Sequence, residues 1–195
     1  MANFKEKSAS GITYVSADTL LLDERKLFLE GEINTEMAYD FMKKMMVLIK
    51  KDSASPIKVY INSCGGDINA GLLIYDVIQH CKCDIDLYCT GRTLSMGALL
   101  LACGKKGHRF ILEHSEVMLH EPLLGGGVSG SCSSLLSISE RLMQTKKVIL
   151  DLLVKHTKND YDTLEKAIAY DHYFSAQEAI DFDLCDAIVT FNDLL

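Results

Sequence analysis

The 195-residue chain has little concentrated positive charge. Its net charge is −7, and lysine and arginine gather only in pairs such as Lys43-Lys44 and Lys105-Lys106. Binding to a phosphate backbone needs a basic stripe, so nucleic acid is not an expected partner. Long apolar runs are missing too. The longest, "MGALLLAC", has 8 residues, too few to span a bilayer. The opening "MANFKEKSAS" lacks an apolar core, so no signal peptide is expected. The seven cysteines do not form a framework. An odd number without an export signal reads as reduced thiols in a cytosol-like compartment, so the expected location is cytoplasmic. Cys81 and Cys83 make one tight pair. No second pair or histidine cluster completes a tetrahedral metal site, and ordinary apolar thiols are the better reading. The sequence also lacks internal repeats, low-complexity segments and linkers, which points to one domain over residues 1–195.

What is present is globular: 48% of residues are apolar and 24% charged. Short β-rich runs alternate with helical ones. "KLFLEG" (Lys26–Gly31) reads as a buried strand. Thr35 can cap a helix to about Lys51 that carries Phe41, Met45 and Leu48 on one face. "SPIKVYIN" reads as a strand, "SCGGD" as a turn, "INAGLLIYDVIQHC" as a helix and "DIDLYC" as the next strand. "SMGALLLAC" reads as a short helix closed by Gly104. "RFIL" and "EVMLH" are strands, and "GGGVSG" is flexible. One long helix is predicted from about Ser131 to His156. Ser175 and Glu178 match a capping box, and "DAIVT" is a late strand. This alternation predicts an α/β fold with mostly parallel pairing and right-handed crossovers. Chemistry in such sheets collects at the carboxyl ends of strands. "SCGGD", "GRTLSMG" and "HEPLLGGG" all fall there.

Ser95 lies between Gly91 and Gly97 in one of these stretches. A serine nucleophile needs a base and small neighbours around a sharp strand-to-helix turn. The helix after it would offer free N–H groups to an oxyanion. Taken alone, the segment is better explained by an N-capping serine. His120 ends an apolar strand before Pro122, as a solvated strand end or as a general base. His80, His108, His114, His156 and His172 lack that setting. Asp171 precedes Tyr173 and Phe174 and could orient a histidine. It could as well be a helix-end carboxylate, and Asp181, Asp183 and Asp186 compete with it. Gly65 and Gly66 form a turn, or a backbone that approaches a ligand with its N–H groups. No G-K-[ST] follows them, which disfavours a phosphate cradle. Gly125–Gly127 reads as a linker, or as an edge that pairs with a peptide.

Four blocks then carry a resemblance. "VYINSCGGDINAGLLIYDVI", "CTGRTLSMGALLLACGKKGHRF", "VMLHEPLLGG" and "DHYFSAQEAIDFDLCDAI", in this order, resemble those of the Clp protease proteolytic subunit, the ClpP family. The resemblance runs from about Leu27 to Val189. It implies a crotonase-like α/β spiral of ββα units with a protruding helical handle, here about residues 125–156, after an N-terminal axial segment (1–25). It implies Ser95 as nucleophile, His120 as base and Asp171 as orienting acid. Gly66 and Met96 would supply the oxyanion N–H groups, and Gly65, Leu123, Gly125, Gly126 and Gly127 would border the substrate peptide. It further implies seven-membered rings, stacked as a tetradecamer around a chamber. An AAA+ Clp unfoldase would feed unfolded polypeptide to it. The chain has no P-loop, so ATP belongs to that partner, and no cofactor is expected in this subunit.

The chain departs from the family pattern at several points. Cys64 replaces a proline, which predicts a less rigid oxyanion loop. Glu121 replaces a glutamine, and its charge is expected to favour the protonated imidazole. Ala169-Tyr170 replaces an Asp-Arg pair that helps rings contact each other, and the N-terminal region lacks the usual "SRLL" pattern. Two alternatives follow: a weakly active paralogue that completes a mixed ring with a second ClpP chain, and a crotonase-type acyl-CoA enzyme using Gly65 and Gly66.

Overall fold

The computed structural model describes residues 3–8 and 11–195. Of the 1–25 segment, residues 1, 2, 9 and 10 therefore lie outside the described residues. The chain opens on an antiparallel hairpin, β1 (Asn3–Ser8) and β2 (Gly11–Ser16), followed by α1 (Ala17–Asp23). Then come β3 (Lys26–Ile33), α2 (Thr35–Lys51), β4 (Ile57–Gly66), α3 (Ile68–His80), β5 (Ile85–Leu94) and α4 (Met96–Ala102). They are followed by β6 (Arg109–Leu112), β7 (Glu116–Leu119), α5 (Cys132–His156), α6 (Tyr161–Ile168), β8 (His172–Ser175), α7 (Ala176–Asp181) and β9 (Ala187–Val189). The fold is α/β, as predicted, with the strand order β3-β4-β5-β6-β9 running parallel throughout.

Strand β5 divides its pairing. Leu87–Cys89 bond to β6, whereas Arg92–Leu94 bond to β7, also parallel. Gly91, at φ +117°, marks the change of partner. Strand β8 then adds antiparallel to β7.

Period-two alternation sends Leu27, Leu29, Ile57, Val59, Ile61, Ile85 and Leu87 into one core beneath α2 and α3. Every residue of α4 is buried. The other sheet face carries a stacked ladder of Phe28, Tyr60, Tyr88 and Phe110, one ring per strand, with centroids 4.8–5.2 Å apart.

Several local details differ from the sequence reading. Asn34, not Thr35, caps α2, because its side chain accepts the Met37 N–H. Strand β4 continues through "SCGG" because Glu32 and Ile33 pair with Gly65 and Gly66 across a bulge. Gly104 is needed for close packing, since a β-carbon there would lie 2.8 Å from Arg109 Cγ and Leu87 Cδ1. The hairpin, α1, α6 and β8 were not predicted. Helix α5 agrees with the prediction, with Ser131 as its cap. Only Ile149, Leu150 and Leu153 of that helix are buried, so its first half projects from the body.

Candidate active site

Ser95 joins β5 to α4 at φ +55° and ψ −119°. This left-handed conformation is unusual for a residue with a side chain and is tolerated only where neighbours enforce it. Its N–H donates to the Met118 carbonyl at 2.8 Å, and its carbonyl accepts from Leu99. The Ser95 side chain makes no capping bond to α4. The N-cap alternative is thereby removed, and Oγ is left 2.8 Å from His120 Nε2.

His120 follows the last residue of β7, and Asp171 precedes the first residue of β8. Leu119 and His172 are partners in that antiparallel pair, so the next opposed positions belong to His120 and Asp171. His120 Nδ1 lies 3.2 Å from Asp171 Oδ1. With the proton on Nδ1 donated to the carboxylate, the Nε2 lone pair is free to accept the Ser95 hydroxyl proton. Asp171 itself is 60% exposed.

The glycine loop packs behind the serine. Gly65 (φ +87°) is buried, and a β-carbon on it would sit 3.1 Å from the Met96 nitrogen. A β-carbon on Gly66 would run into the carbonyl of Ile33. The loop has supports other than a proline. Ser63 Oγ accepts the Gly65 N–H at 3.1 Å and donates to Gly31 O at 2.6 Å. The Asp67 N–H donates to Ile33 O, and its carboxylate caps α3 at Ala70.

Ser95, His120 and Gly66 open onto a cleft of about 830 Å³. Leu123, Gly125 and Gly127 form one wall, and Ile138, Arg141, Leu142 and Thr145 of α5 form another. Gly126 is not among its lining residues. A smaller recess beside Ser95 and His120 is apolar, walled by Ile68, Met96, Leu99, Leu119, Pro122, Ile149 and Leu153. The sequence reading missed this recess, although the i,i+4 spacing of Ile149 and Leu153 was a usable signal.

Glu121, next in the chain to His120, has a partner that the sequence did not reveal: Lys146 Nζ of α5 is 3.0 Å from its Oε2. Hydrogen bonding to Glu121 holds the Lys146 ammonium above the ordinary lysine value, against a smaller effect of desolvation. Tyr170 stands almost fully exposed on the turn before Asp171. Among the described residues, no group of three or more His, Cys, Asp or Glu is placed to hold a metal ion. Cys81 and Cys83 contact each other, Sγ to Sγ at 3.1 Å.

A hydroxyl linked through an imidazole to a carboxylate, at the carboxyl edge of a parallel sheet, defines a serine hydrolase of α/β fold. Comparison with known proteins narrows this class. The family model described as Clp protease matches residues 9–192. The ATP-dependent Clp protease proteolytic subunit of Bdellovibrio bacteriovorus is 37% identical over 185 residues, covering 94% of this chain and 87% of its own length. The chain belongs to the Clp protease family and is a serine peptidase of that kind. Neither the mixed-ring alternative nor the acyl-CoA alternative is favoured by these matches.

Proposed function

We propose that this chain is the proteolytic subunit of an ATP-dependent Clp endopeptidase, with Ser95, His120 and Asp171 as its catalytic triad. The contact of Ser95 Oγ with His120 Nε2, made by a serine with no capping role, carries this reading. Ser95 Oγ attacks the scissile carbonyl carbon while His120 Nε2 accepts its proton. Asp171 stabilises the imidazolium and fixes the tautomer. The backbone N–H groups of Gly66 and Met96 receive the oxyanion. One such donor is worth roughly 10²–10³ in rate in other hydrolases. Collapse of the tetrahedral adduct breaks the C–N bond, and His120 protonates the departing amine. Water, deprotonated by His120, then releases the acyl group from Ser95. The peptide lies extended along Leu123, Gly125 and Gly127, with Gly126 between them outside the cleft lining and Gly65 backing the nucleophile.

Family membership supports an oligomeric protease served by a Clp ATPase. The finer arrangement follows the family pattern. Seven-membered rings stack as a tetradecamer in the cytoplasm, residues 125–156 form the handle, and the N-terminal segment, described for residues 3–8 and 11–25, lines the axial entrance. An AAA+ unfoldase spends the ATP and threads unfolded polypeptide inside. A second ClpP paralogue in the ring is the variant of this scheme that the Ala169-Tyr170 departure favours. No described helix is long and apolar enough to cross a membrane.

The test is intact-mass spectrometry after treatment with a fluorophosphonate. One adduct is expected on the wild type and none on Ser95→Ala. An adduct that persists on Ser95→Ala would overturn the nucleophile assignment. No adduct on either protein would mean that the chain alone is inactive, which is the mixed-ring outcome.

A further inference from the structure

Lys146 is one of two adjacent lysines on a largely exposed helix, yet its own side chain is only 18% exposed. Its Nζ lies 3.0 Å from Glu121 Oε2 and 3.5 Å from Glu165 Oε1. One ammonium therefore joins three elements: α5, the segment leaving β7, and α6. The Glu121 N–H also donates to the carbonyl of Ile168, the last residue of α6, at 2.7 Å. Glu121 adjoins the base, and the chain reaches Asp171 soon after Ile168. The segments that carry His120 and Asp171 are thus held together, and α5 is fastened to both through Lys146. Thr145, the preceding residue of α5, lines the substrate cleft.

We propose that Lys146 is a positioning residue for the His120–Asp171 pair, fastening α5 and α6 around the end of β7 and balancing the charge of Glu121, the residue that follows the base. The proposal rests on the triad assigned above. The charged and titratable groups around His120 are few. Asp171 and His172 come from the β8 side, Glu121 from its own segment, Lys146 from α5 and Glu165 from α6. Asp67 and Arg141 stand on other walls of the cleft. Among the described residues, the ammonium in contact with Glu121 is that of Lys146. Without it the charge of Glu121 stands uncompensated, and an uncompensated carboxylate near an imidazole favours the protonated ring.

The experiment is the pH profile of kcat/KM on a fluorogenic peptide, whose acid limb reports the base in the free enzyme. It uses the full chain, with assembly checked by sedimentation. Lys146→Gln keeps a hydrogen bond but loses the charge, and Lys146→Met loses both. In each, the acid limb should move up by about half a pH unit. The kcat of Lys146→Met should also fall severalfold with little change in KM, because positioning rather than binding is lost. Lys146→Arg should keep the wild-type limb. The double variant Glu121→Gln/Lys146→Gln should bring the limb back. If either single variant fails to assemble, the other decides. An unmoved limb in the assembled single variants, or a limb still shifted in the double, overturns the proposal. Ser95→Ala separates the two readings, since residual hydrolysis there would sink the triad itself whatever the limb does.

Discussion

A β-carbon on Gly65 would lie 2.6 Å from that of Ser95. No ordinary pair of side chains approaches so closely, so the loop and Ser95 are packed backbone against side chain. Gly65 also holds φ +87°, which disfavours any other residue. Gly65→Ala is expected to push the loop off the serine. The fold should lose about 1–3 kcal/mol of stability, the usual cost of such a backbone conformation. Displacement of the proposed Met96 and Gly66 oxyanion donors should lower kcat by about 10². Peptide hydrolysis and a thermal melt on the same preparation check both. Wild-type turnover in the variant would mean that the loop does not help to build the site.

Asp171, the proposed orienting acid, is exposed, and its contact with His120 is 3.2 Å long. Water screens it, so its contribution should be smaller than that of a buried acid, which reaches about 10⁴ in kcat. Asp171→Asn is expected to cost roughly 10²-fold in kcat, with KM little changed. A loss confined to KM would instead make Asp171 a substrate contact.

These two predictions depend on features that were unequally legible in the sequence. Helix α5 was readable end to end because Ser131 caps it and its apolar spacing persists to His156. The capping box of α7 was readable for the same reason: both partners lie within four residues. Strand β8 was not. It has four residues, too few to show a period, and it exists because it pairs with β7, a stretch distant in sequence. Asp171 owes its place to that pairing, so its residue type alone could not separate it from Asp181, Asp183 or Asp186. The left-handed backbone of Ser95 was equally hidden, because local sequence permits an ordinary N-cap and only the Met118 contact and the glycine loop exclude it. Lys146 is unremarkable in the sequence, and Glu121 stands out there only as a departure from the family pattern; the link between them lies in a contact between elements.

The apolar recess beside Ser95 and His120 predicts selectivity at the residue that donates the scissile carbonyl. Ile68, Leu119, Pro122 and Ile149 give it no charged wall, so an apolar side chain should be preferred and Asp or Lys rejected. Ile68 is only half-buried, so it can be shortened with little damage to the core. Ile68→Ala should move kcat/KM from medium aliphatic toward aromatic residues by about tenfold or more, since one methylene group in such a pocket is already worth about tenfold. Profiling with a peptide library checks this. An unchanged ranking would place the specificity subsite elsewhere in the cleft.

A second group of charges governs stability rather than catalysis. Arg109 is fully buried on β6 and donates to Asp183 Oδ1 at 2.7 Å and Asp186 Oδ1 at 2.6 Å. Burial alone would raise both carboxyls. Hydrogen bonds from Lys106 and Arg109 at Asp183, and from Arg109 at Asp186, outweigh it and hold both below the ordinary aspartate value. A carboxyl lowered in the folded state stabilises the protein fully above its unfolded value, about 3.9. That stabilisation is lost as the pH falls through the folded value. Arg109→Met leaves the half-buried Asp186 without its cation and Asp183 with Lys106 alone, which should cost up to about 3–5 kcal/mol at pH 7. As the pH drops below about 4, the wild type loses its advantage while the variant's aspartates are neutralised, so the gap between them should narrow. Thermal melts of both proteins at pH 7, 5 and 3.5 check this. A gap that stays constant with pH would mean that Arg109 contributes packing alone, and that its carboxylate partners carry no charge-dependent share of the fold's stability.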